Sequence, residues 1–170
     1  MKFKDRFTWE DPEFSLGRFY NSDIRKLCAL GQYFKYMFPD SDIDPRELHT
    51  NKVRSRNSIY VTARKRNKVI AYGAYDFLGV DSWLCHHWKK QKAKLKFSDW
   101  YSYGMLGVAF GFDYLKARKL YTNIPMVMTE YIEKVKGLGF KQEGISREAV
   151  FYDGKPYDLC LLSYLRKEWI

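Results

Sequence analysis

The sequence predicts an α/β fold of the α+β kind, with antiparallel hairpins and interspersed helices, and three observations predict it. First, a helical run stops at Leu138-Gly139-Phe140, and the strand that follows leads to Tyr152-Asp153-Gly154-Lys155. Asp-Gly between β-compatible runs is a hairpin signal, and the return strand spans Tyr157 to Tyr164. Second, Ser58 to Ala63 and Val69 to Leu78 alternate as two strands around the polar turn Arg64-Lys65-Arg66-Asn67-Lys68. Third, Ile24, Leu27, Cys28, Gly31, Phe34 and Phe38 recur at helical spacing until Pro39 ends the run.

In chain order, residues 1–14 read as a lead-in arm. Ser15 to Tyr20 reads as a strand, and Ser22 as the N-cap of the first helix, with Asp23 favourable in its first turn. Residues 40–57 form a connection that shifts from acidic to basic. After the Ser58–Leu78 hairpin, Gly79-Val80-Asp81 turns the chain into a strand from Ser82 to Trp88 carrying Cys85, His86 and His87. A lysine-rich stretch follows, with Lys89, Lys90, Lys92, Lys94 and Lys96, and then a helix from about Ser98 to Ala117. Gly104, Gly107 and Gly111 interrupt that helix at near-helical intervals. Each costs ~1 kcal/mol relative to alanine, so close approach to a sheet or a flat ligand has to compensate. Lys119 to Asn123 is the next strand, and Pro125 fits the first turn of a helix over Met126 to Leu138.

A length of 170 residues suits a single domain over residues 1–170. Aromatics at 18% supply a core, and 29% charged residues supply a wet surface. No apolar run approaches the ~20 residues of a membrane helix, and the first residues lack the apolar run of a secretory signal. Cytoplasmic location is therefore expected. Cys28, Cys85 and Cys160 are odd in number and far apart, which argues against a disulfide framework. His86 and His87 are strand neighbours that cannot converge on one ion, and His49 is remote, so no metal is expected. The net charge of +10 favours polyanions, either a phosphorylated cofactor or nucleic acid. It concentrates at Arg54, Arg56, Arg64, Lys65, Arg66 and Lys68, and again at the lysines from Lys89 to Lys96. A charge run is also commonly just a solvated face.

The order Leu-Gly-Phe, Glu143-Gly144, Arg147, Asp-Gly-Lys and Tyr157-Asp158, closing on Leu165-Arg166-Lys167-Glu168-Trp169, resembles the C-terminal half of the GNAT (general N-acetyltransferase) superfamily. The resemblance covers roughly fifty residues. It implies a mixed central sheet of six to seven strands, mostly antiparallel, with helices on both faces. It also implies an acyl-CoA-dependent N-acyltransferase, with acetyl-CoA as substrate and an amine of a protein or small molecule as acceptor. Residues 40–57 are then the expected place for acceptor specificity. The chain departs from the family where a glycine-rich loop usually holds the cofactor pyrophosphate: no glycine lies between Lys89 and Gly104. Either Lys89, Lys90, Lys92 and Lys94 neutralise the phosphates while Ser98 caps the following helix, with Trp88 and Asn123 completing the cofactor set, or the cradle is lost and the lysines serve an RNA or DNA backbone. Tailed-phage members have a similar basic linker, and Phe110-Gly111-Phe112-Asp113-Tyr114-Leu115 resembles the phage and the ribosomal-protein-acetylating branches; the phage branch would place the protein in a host cytoplasm or a virion.

The family's acid tyrosine and helix asparagine correspond here to Val135 and Met128, so both polar groups are missing. Tyr131 lies one turn earlier on the same face, ~6 Å away. The resemblance makes it the remaining candidate for protonating the departing thiolate. His86 and His87 would lie on the strand lining the thioester site and face opposite ways, so one faces the cleft with a pKa near ~6.5 suited to a general base. An ordinary core histidine beside a surface one fits the same pattern. Glu130 and Glu143 are weaker base candidates. The competing class is a GNAT-fold protein without catalysis, acting as a binding or virion-associated component on nucleic acid or a protein partner.

Overall fold

The computed structural model describes residues 6–23, 57–89, 95–152 and 154–169. Its strands are β1 (Arg6–Phe7), β2 (Phe14–Arg18), β3 (Ser58–Lys65), β4 (Lys68–Gly79), β5 (Ser82–Lys89), β6 (Lys119–Pro125), β7 (Lys141–Tyr152) and β8 (Lys155–Leu165). Among the described residues there are two α-helices, α1 (Phe97–Ala109) and α2 (Thr129–Lys136). The strands form one sheet in the order β1-β2-β3-β4-β5-β6-β8-β7. Every pairing is antiparallel except β5 with β6, which is parallel. A mixed, mostly antiparallel sheet was expected. Its eight strands exceed the predicted six to seven, partly because the lead-in is not a loose arm. Arg6 and Phe7 pair with Gly17 and Leu16, and the Phe7 ring meets Phe110 and Tyr114 at 5.4 and 6.0 Å. Trp9 reaches Trp169 at 5.2 Å.

Local chemistry fixes the connections. β3 and β4 are joined by Arg66 and Asn67, both at positive φ (46° and 70°), as a two-residue hairpin requires. Gly139, at φ +107°, ends the segment after α2, and a Cβ there would stand 2.5 Å from the Tyr164 ring. Only glycine satisfies both conditions. β6 runs on to Pro125, opposite Leu159, and Met126 N–H donates to the Asp158 carbonyl at 2.9 Å. Pro125 is thus a strand end rather than the first turn of a helix, and α2 begins at Thr129.

The two described helices cover one face of the sheet. One hydrophobic cluster joins β2, β3 and β4 to α1 through Phe14, Leu16, Val61, Tyr75, Leu106 and Phe110. The other joins β6 and β8 to both helices through Val108, Phe112, Leu120, Ile132, Val135 and Leu162. Helix α1 contributes to both and so ties the two halves of the sheet together. It ends in a wider π turn, Phe110–Tyr114, which carries the wholly buried Phe110 and Phe112 into the two clusters. The helix expected over residues 24–38 and the connection over 40–56 lie outside the described residues.

Candidate active site

Strands β5 and β6 pair only at Ser82 with Lys119, Trp83 with Leu120 and Leu84 with Tyr121. Beyond Tyr121, β6 continues alongside β8, whereas β5 continues alongside β4. The two parallel strands therefore part, and among the described residues no strand pairs with Cys85–Lys89 on the side facing β6. At the fork the Cys85 thiol donates to the Tyr121 carbonyl at 3.1 Å. Burial pushes that thiol up to about 12, so it stays protonated and is no nucleophile.

Behind the fork lies a cavity of about 60 Å³ between the sheet, α1 and α2. Its polar side chains come from β4 (Tyr75), β5 (Cys85, His87), α1 (Tyr103), β6 (Thr122) and α2 (Tyr131). Val135, Leu138 and Phe140 contribute apolar wall, and Trp100 meets Tyr131 edge-on at 6.3 Å. Rings narrow this space without filling it.

A directed hydrogen-bond chain crosses one wall. Tyr75 donates its only hydroxyl hydrogen to the Gly107 carbonyl at 2.8 Å. Its oxygen lies 2.9 Å from His87 Nε2 and must accept there, so Nε2 carries a hydrogen. Burial, with a smaller contribution from His86, pushes the His87 pKa down to about 3. The ring is therefore neutral and Nδ1 is bare. Tyr103 Oη, 2.6 Å from Nδ1, donates to it. The chain packs tightly because residue 107 is glycine: a Cβ there would stand 2.6 Å from His87 Cε1. Gly104 and Gly111 admit Leu138 and Leu120 in the same way, so side-chain packing accounts for the helical glycines.

Of the residues singled out from sequence, His87 and Tyr131 meet in this cavity. His86 pairs with Ala74 and points to the opposite face by strand alternation. Asn123 likewise turns away, since its neighbour Thr122 lines the cavity. Glu130 and Glu143 lie outside the cavity: Glu130 pairs with Lys134, and Glu143 accepts from Lys119 and Ser163, each at 2.7 Å. Trp88 and Lys89 close β5, and Lys90, Lys92 and Lys94 lie outside the described residues. Ser98 does not cap α1. Lys96 is the N-cap, and its N–H donates to the Asp99 carboxylate at 3.3 Å, which sets the helix start one residue before Ser98. Asp99 also binds Lys65 at 2.7 Å, and Lys65 and Arg66 both pair with Glu13, so part of the first basic cluster is neutralised internally.

Sequence reasoning missed Tyr75, Tyr103, Trp100 and Thr122. Alternation from His87 through its partner Gly73 could have placed Tyr75 on the cavity face, and the Tyr103-Gly107 spacing marks one face of α1.

Among the described residues no group of His, Cys, Asp and Glu is arranged to hold a metal, and no helix is long and apolar enough to cross a membrane. No protein-family profile matches the chain, and no curated protein matches it by sequence. Solved structures do match in shape. Spermidine N-acetyltransferase from Vibrio cholerae, solved with CoA and spermine, superposes with a TM-score of 0.79 over 93% of this chain and 98% of its own, at 14% identity. A putative acetyltransferase matches with a TM-score of 0.75 at 15% identity, over 99% of this chain and 90% of its own. A probable acetyltransferase matches with 0.73 at 14%, over 95% and 98%. With its forked parallel pair inside an otherwise antiparallel sheet, the chain has the GNAT fold.

Proposed function

We propose that the chain is an acyl-CoA-dependent N-acyltransferase that moves an acetyl group from acetyl-CoA to an amine of a protein or small molecule. The observation that carries this reading is the fork: from Cys85 onward β5 presents an edge to the gap, with the cavity beside it. An extended arm containing amides, such as pantetheine, can pair through an amide with a strand edge on which, among the described residues, no other strand lies. The residues present therefore fit the cofactor arm.

Within this reading the amine attacks the thioester carbonyl carbon, the carbon–sulfur bond breaks, and the departing sulfur takes a proton. Tyr131 is the candidate acid, since it reaches the cavity from α2. His87 keeps both ring nitrogens in hydrogen bonds and holds the wall in place, so it is a positioning residue rather than a base. His86, on the other face, remains the histidine candidate for a general base. Trp88, Lys89, Lys90, Lys92 and Lys94 lie along the chain leading into α1 and Ser98 lies in its first turn, where cofactor phosphates would be neutralised. Asn123 on β6 faces away from the cavity and would reach a cofactor only from the opposite face of the sheet.

The net charge of +10 repels a polycation at long range, which favours a protein amine or a small amine of low charge over spermine as acceptor. The same charge makes nucleic acid a candidate partner. The phage-type comparison, with its host-cytoplasm or virion setting, belongs to this reading too.

Titration calorimetry with acetyl-CoA and desulfo-CoA tests the activity, with saturable heat expected for both. Gain of one acetyl group on an incubated protein or amine, followed by mass spectrometry, identifies the acceptor, with spermidine in the panel. No heat and no thermal shift with either CoA would end the enzymatic reading and leave a GNAT-fold binding protein.

A further inference from the structure

The direction of the hydrogen-bond chain decides what the cavity can recognise. A carbonyl only accepts, so Gly107 fixes the Tyr75 hydrogen; Tyr75 then fixes the hydrogen on His87 Nε2; and the bare Nδ1 fixes the hydrogen of Tyr103. Tyr103 belongs to the cavity wall, is 5% exposed, and has no second hydrogen to offer. Its oxygen keeps lone-pair capacity after donating to His87. We infer that Tyr103 is a ligand-binding residue acting as an obligate acceptor: it takes a hydrogen bond from an amide N–H of the pantetheine arm and cannot serve as the acid. This rests on the CoA reading above and adds to it which atom of the wall reads the arm, and with which polarity.

The polarity has chemical consequences. A carbonyl or another acceptor placed against Tyr103 would face lone pairs with no hydrogen between, whereas an N–H completes the phenol's valence. The same phenol cannot protonate a departing thiolate without leaving a phenolate against the bare Nδ1, because no hydrogen can be passed back from a chain that ends on a carbonyl. Tyr103 therefore acts in binding, and the transferred proton has to come from elsewhere in the cavity.

The test is a double-mutant cycle between protein and ligand. CoA and two analogues, each with one pantetheine amide replaced by an ester, are titrated against the wild-type chain and Tyr103→Phe. For one analogue the wild type should lose about three- to tenfold in affinity, and that loss should fall within about twofold of nothing in Tyr103→Phe. If both analogues lose as much against Tyr103→Phe as against the wild type, the contact does not exist. A wild type that binds no CoA at all removes the enzymatic reading and this inference together, so the two failures are distinct. A ligand-free readout covers a Tyr103→Phe chain that fails to fold. Nitrogen-15 spectra of wild-type His87 should show the hydrogen on Nε2 and a bare Nδ1, and a hydrogen on Nδ1 would reverse the chain and overturn the assignment.

Discussion

Gly107 is the residue on which the cavity wall closes, since its carbonyl terminates the hydrogen-bond chain and its missing Cβ makes room for the His87 ring. Gly107→Ala adds a methyl 2.6 Å from His87 Cε1, inside any tolerable contact. It should destabilise the fold by about 1–3 kcal/mol despite alanine's better helix propensity, as urea midpoints would show. His87 makes a second prediction. Its pKa is about 3 in the folded chain against ~6.5 unfolded, so between those values the unfolded state holds more protons. Its contribution is complete above pH 6.5 and is lost as pH falls toward 3, by about 1.4 kcal/mol per pH unit in that window. Urea unfolding at pH 7 and pH 5 checks this, and His87→Gln should flatten the dependence.

At the scale of elements, the β3–β4 hairpin and α1 are held together by one carboxylate. Asp99 accepts the Lys96 N–H, placing negative charge in the first turn of the helix, and binds the Lys65 ammonium at the hairpin tip. That lysine bond is the main reason its carboxyl is held below the usual range. Asp99→Ala should cost about 1 kcal/mol, the sum of a modest cap and a partly exposed ion pair. Lys65→Met should cost less, because the cap survives; thermal melts of the two variants give the comparison. The same elements show what the sequence disclosed. The β3–β4 hairpin and the β7–β8 hairpin were readable because alternation and a turn dipeptide are local signals. β1 was not, since two residues carry no period and are held by Phe7 packing on rings more than a hundred positions away. Pro125 misled for a similar reason, as its pairing with Leu159 is a long-range fact.

Across the whole molecule, the sequence named two of the side chains that line the cavity but not its wiring. Strand alternation left His86 and His87 open and the family resemblance pointed to Tyr131; His87 and Tyr131 line the same cavity. The roles of Tyr75, Tyr103 and Gly107 depend on a three-element meeting that no window of sequence contains. Ser98 shows how close the two levels come, being displaced from the cap by two residues because Asp99 reaches back to Lys96. If the CoA reading holds, saturating desulfo-CoA at 100 times its Kd should raise unfolding stability by about 2.7 kcal/mol, measurable in urea.

The parallel seam between β5 and β6 is only three residue pairs long, with β1–β5 on one side of it and β6–β8 on the other. Mechanically this is a book with a short spine, and among the described residues α1 and the Trp9–Trp169 contact lie across both leaves. An extended molecule slotted into the opening would act as a bookmark that doubles as binding thread. Protease nicking near the spine should therefore slow sharply when the slot is filled, making sensitivity to cleavage a direct gauge of occupancy.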